Sequence, residues 1–157
     1  MTTQFQINAI DYKQFKHLFS LSDEELAALH AKRLVVDAKP GYPCRVSLQE
    51  AEIGEVVLLV HYQHHTTLSP YRSSGPIFVR EHALLAEPKV NEVPEILQTR
   101  LLSIRAYDSV GVMIEAQIVK GMEIKDFLHT IFDDHKIEYV HIHNANPGCF
   151  NCIARRV

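Results

Sequence analysis

A chain of 157 residues, 46% hydrophobic and 22% charged, has the length of one domain and the balance of a globular protein. A net charge of −3 without any basic block excludes a nucleic-acid backbone binder. The longest apolar run, Val56 to Val60, is far too short to cross a bilayer. Three cysteines, an odd number, argue against a disulfide framework. The opening MTTQFQINAI lacks the basic-then-apolar order of a secretory signal, so a reducing cytoplasm is the expected compartment.

In chain order, LSDEELAALH opens a helix: Ser22 is placed to cap it, Glu25 three residues on completes a capping box, and Leu21 with Leu26 forms a hydrophobic staple. A short strand over Arg33–Asp37 runs into a Pro-Gly turn. Cys44–Leu48 continues the chain, and after a turn near Gly54 a strand runs from Val56 to about Gln63. That strand is apolar on both faces, as a covered central strand would be. The loop TTLSPYRSSG leads into a brief strand over Ile77–Arg80, and a surface crossing with a helical turn after Pro94 follows. LLSIRAYDSVGVMIEAQIVKG reads as a hairpin turning at Asp108–Gly111. Its core face is expected to join Leu102, Ile104 and Ala106 with Val112, Ile114, Ala116 and Ile118. Ile124, Phe127, Leu128 and Ile131 line one side of an amphipathic helix, and a last strand spans Ile137–His143. With no linker or repeat, residues 1–157 make a single α+β domain: a mixed, mostly antiparallel sheet with two or three helices.

The chemistry gathers near the end, in EYVHIHNANPGCFNC. On a strand, Val140 and Ile142 share one face while Tyr139, His141 and His143 share the other, which offers two imidazoles to one ligand. Asn144 and a Pro-Gly turn then lead to Cys149 and Cys152. Three readings follow from these residues. His141, His143, Cys149 and Cys152 supply the donor types of a closed tetrahedral zinc site, although the H-x-H-x5-C-x2-C spacing is unusual. His141 and His143 serve a catalytic metal with Cys149, or activate Cys149 as a nucleophile. In the third reading the histidines are hydrogen-bonded strand residues and the cysteines small hydrophobes.

Arginines interrupt other apolar or turn segments. Arg45 follows a rigid PGYPC turn, Arg72 sits among hydroxyls in SPYRSSGP, and Arg105 alternates with Ser103 and Tyr107 opposite the core face of the hairpin. Together they point to recognition of a carboxylate or phosphate. His61 lies late in the most buried strand, where its ring needs a partner. The tract His61, His64, His65 mixes both strand faces and is a weak metal signal.

Taken together, PGYPCRVSLQEAEIGEVVLLVHY, SPYRSSGPIFVRE, RLLSIRAYDSVGVM and YVHIHNANPGCF resemble the bacterial domain family of unknown function numbered 1203, from about Asp37 to Phe150. The resemblance implies no activity. It does imply that Cys44, Arg45, Tyr71, Arg72, Gly75, Pro76, Arg105, Tyr107, His141, His143, Asn144, Gly148 and Cys149 belong to its motifs, and that Cys152 is a departure. The expectation is a pocket for a small anionic molecule. Cys149, His141 and His143 form its reactive edge or hold a divalent metal such as zinc, and Arg45, Tyr71, Arg72, Arg105 and Asn144 bind the ligand. A non-catalytic carboxylate- or phosphate-binding module is the alternative, and a homo-oligomer is compatible with either.

Overall fold

A computed structural model describes residues 2–157. The strands are β1 (Phe5–Asn8), β2 (Lys32–Val35), β3 (Val56–His65), β4 (Ser73–Arg80), β5 (Leu101–Tyr107), β6 (Met113–Lys120), β7 (Tyr139–Asn144) and β8 (Phe150–Arg156). The helices are α1 (Asp23–Ala28), α2 (Glu95–Gln98) and α3 (Ile124–Ile131). Two antiparallel sheets, ordered β1-β8-β7-β5-β6 and β2-β3-β4, make this an α+β fold.

Local signals explain the helices. At α1, Ser22 Oγ accepts from Glu25 N at 3.1 Å and Glu25 returns the bond to Ser22 N at 3.2 Å, so the expected capping box forms. In α3, Ile124, Leu128 and Ile131 are buried, which is the 0, 4, 7 spacing of one helix face.

The larger sheet is covered on both sides. One face packs Leu102, Ile104, Val140 and Ile142 against Ile124 and Leu128 of α3. Each such buried aliphatic side chain contributes ~1.5–3 kcal/mol. The other face meets the smaller sheet, where Leu58 and Val60 of β3 and Ile77 and Val79 of β4 pack with Phe150 of β8. The site described below lies between the two sheets.

Two expectations need correction. First, the hairpin register opposes Leu102 to Val119, Ile104 to Gln117 and Ala106 to Glu115. Directly opposed residues point to the same side, so Ile114, Ala116 and Ile118 turn away from the helical core. A bulge between Ala106 and Tyr107 absorbs the offset. Second, the tail is a strand: β8 inserts between β1 and β7, and β1 itself carried no clear sequence signal. The segment Cys44–Leu48 between β2 and β3 is tied to its surroundings by isolated bridges from Pro43 to Glu50 and from Cys44 to Phe78.

Candidate metal centre

β7 places its side chains as alternation requires. Val140 and Ile142 enter the helical core, while Tyr139, His141 and His143 face the smaller sheet. That second sheet covers them: His141 is 2% and His143 1% exposed. β3 runs two residues beyond its expected end, and a register shift between Tyr62 and His65 brings two more imidazoles to the same place. His64 stacks on Phe150, ring centroids 5.2 Å apart and nearly parallel, and lies 4.9 Å from the ring of His143.

Three of these rings offer an unused nitrogen inward. His64 Nε2, His141 Nδ1 and His143 Nε2 are buried without a hydrogen-bond partner. One donor atom from each of the three residues lies within 4.8 Å of the others. A buried polar atom left unpaired costs ~1–3 kcal/mol, so three such nitrogens on clustered rings mark this as the place in the fold best suited to take a ligand. A carbonyl fixes the tautomer of His143: Nδ1 stands 2.9 Å from Gly148 O, which only accepts, so the proton sits on Nδ1 and the Nε2 lone pair is free. The Pro-Gly turn therefore orients this ring. His65 is spoken for on both sides. Its Nδ1 donates to Tyr71 O at 2.8 Å and its Nε2 accepts from the Tyr139 hydroxyl at 2.6 Å.

Burial, reinforced by neighbouring imidazoles, pushes the His141 pKa down to about 2. Burial also takes His143 to about 3 against the opposing Gly148 bond, and takes His64 to about 4 with help from the charge of Arg105. At neutral pH all three are uncharged, the form that binds a metal. Tetrahedral zinc with Zn–N of 2.0–2.1 Å needs nitrogens ~3.3 Å apart, closer than the 4.8 Å that bounds these donor atoms. Three nitrogen ligands with a fourth position open is the arrangement of catalytic zinc sites.

The remaining expected residues divide sharply. Arg105 lies directly opposite His141 in the β5–β7 pair and so on the same face. It is half-buried, and no hydrogen bond or ion pair holds its guanidinium among the described residues. Arg45, 1% exposed, is fully engaged by Phe150 O, Pro43 O and, at 3.0 Å, the Cys149 sulfur. Arg72 is exposed and bonds Thr66 O of its own loop and Gln63 near the end of β3. Tyr71 packs edge-on to Tyr107, 6.2 Å between rings, at the margin of the cluster.

Cys149 is half-buried and held by Arg45 and, at 3.6 Å, by Asn144 Nδ2, with no imidazole in hydrogen-bond reach of its sulfur. Asn144, itself bonded by Asn151, is a support for this turn and does not face the histidines as a ligand group. Cys152 pairs with Ile142 and is buried in the helical core, where burial pushes its thiol up to about 12. The four-ligand zinc shell with Cys149 and Cys152 is therefore not assembled, because a bulge at Asn151 sends Cys152 to the other face. His64 takes the place expected of Cys149. His61, expected in the core, is exposed.

The family model described as protein of unknown function (DUF1203) matches residues 41–156, and the chain belongs to that family. The matched span contains every residue of the histidine cluster, and Arg45, Arg105 and Cys149 besides. No curated protein and no solved structure matches the chain.

Proposed function

We propose that this DUF1203 chain is a metal-dependent enzyme acting on a small anionic molecule, with His64, His141 and His143 holding one divalent transition ion. The observation that carries the reading is the convergence of three buried, partnerless imidazole nitrogens. Imidazole donors suit zinc first, and also copper, iron or nickel. Such an ion, when bound, polarises a carbonyl or phosphoryl oxygen. Arg105 supplies the second charge: among the described residues no hydrogen bond or ion pair holds it, and it stands beside His141 to receive the anionic group. Gly148 and Tyr139 hold the rings in place, directly at His143 and through His65. Three free cysteines, two of them buried, are consistent with a reducing cytoplasm.

Elemental analysis of tag-free protein purified without chelator tests the centre. About one ion per chain is expected in the native protein, lost in His64→Ala and in His143→Ala and kept in Cys149→Ser and Cys152→Ser. A metal that follows Cys149 and ignores His64 would sink the assignment, as would metal-free protein that takes up no zinc on titration. Anion recognition is read separately: phosphate or acetate should raise the melting temperature of the loaded protein, but not that of loaded Arg105→Met.

A further inference from the structure

Strand β6 ends the larger sheet and exposes six of its eight residues, including Ile114, Ala116 and Ile118. Ile118 is 60% and Ile114 42% exposed, and Leu101 beside them is 44% exposed. These are side chains of core type that the register has turned to the outside. The outer backbone is free as well. Gly121 N donates to Arg100 O at 2.8 Å, and those two residues are directly opposed in the β5–β6 register. By the antiparallel alternation, the N–H and C=O groups of Ile114, Ala116 and Ile118 point out of the sheet edge.

Every other edge is protected. β1 is covered by the 88–91 segment, through bonds between Phe5 and Asn91 and from Gln6 to Pro88 O. β2 has four residues and carries Lys32 and Arg33, and β4 contains Pro76. β6 has no proline, no glycine and one lysine at its far end.

We propose that β6 pairs antiparallel with β6 of a second copy of this chain, about a two-fold axis at Ala116. In that register the sequence is self-complementary. Ile114 of each copy then faces Ile118 of the other, Ala116 faces Ala116, and Glu115 faces Gln117. Moving the axis to Glu115 sets two carboxylates directly opposite, which destabilises a strand pair. Moving it to Gln117 sets Ile114 against Lys120. The favoured register adds about six backbone hydrogen bonds and joins the two sheets into one. It also has an electrostatic signature. A groove of about 610 Å³ between β6 and α3 is rimmed by Glu115, Glu123, Asp126 and Asp134. Pairing brings two acidic rims together, so the dimer should tighten as salt screens them.

Sedimentation equilibrium of the full chain at low and high salt tests this. Twice the chain mass is expected, with a dissociation constant that falls as salt rises. Ile118→Lys should weaken association at least tenfold with unchanged far-UV circular dichroism. Ala116→Cys should cross-link copy to copy on mild oxidation, since directly opposed Cα atoms ~5.5 Å apart lie in disulfide range. A single-chain mass at every concentration and salt would overturn the proposal. So would a dimer that is indifferent to Ile118→Lys and that Ala116→Cys fails to cross-link, because it would use another surface. A monomer that instead binds an alternating Lys-Val peptide would assign the edge to a basic partner, and that too overturns self-pairing.

Discussion

Acid should unfold the metal-free protein, and the histidine cluster sets how steeply. In the folded chain His141 and His143 stay neutral down to about 2 and about 3, because burial excludes the charged form. Unfolded, each titrates near its ordinary value of ~6.5. The sign follows from proton binding: below ~6.5 the unfolded chain takes up protons that the native cluster refuses. Stability is therefore fully present above ~6.5 and lost as pH falls towards the folded values. At pH 5 the loss is ~2 kcal/mol per histidine and ~4 kcal/mol for the pair, at 1.36 kcal/mol per pH unit. A domain of this size has ~5–15 kcal/mol to lose. Urea unfolding in chelator from pH 8 to pH 5 measures it, comparing the native sequence with the double variant His141→Gln, His143→Gln. The native protein should lose ~4 kcal/mol more than the variant over that range. Parallel profiles would mean that these rings already bind protons in the fold, and the buried-cluster argument would fail.

Other outcomes are equally specific. Arg45→Met should cost ~3 kcal/mol or more, because Phe150 O and Pro43 O lose their buried donor; a loss under ~1 kcal/mol in chemical denaturation would contradict that role. A thiol reagent should label one cysteine per native chain, the half-buried Cys149, with Cys44 and Cys152 reacting only after denaturation. Modification of Cys152 in the native protein, read by mass mapping, would contradict its burial in the helical core. Ser22→Ala should lower stability by ~1 kcal/mol through the lost cap on α1, seen as a lower melting temperature with metal content unchanged.

Much of this was legible in the residues because it depends on neighbours in sequence. The capping box needs only Ser22 and Glu25, the α3 face only a 3.6-residue period, and the sharing of one side by Tyr139, His141 and His143 only strand alternation. The α+β class followed from adding such elements. What failed was whatever depended on register. A hairpin sequence does not say which residue of one arm meets which of the other, and a slip of one residue exchanges the faces; hence Ile114 and Ile118 outside. A single bulge at Asn151 likewise sent Cys152 into the core.

The chain by itself determined where imidazoles, thiols and guanidinium groups occur and which side of a local element each occupies. Tertiary structure alone decided which of them meet. His64 and His141 are 77 positions apart in the chain, so their meeting depends on one sheet being laid on another. The pairing of Arg45 with Cys149, which removes both from the histidine cluster, is equally non-local. Burial between the sheets then does what no spacing encodes: it strips the rings of water, holds them neutral and leaves a nitrogen of each without a hydrogen-bond partner.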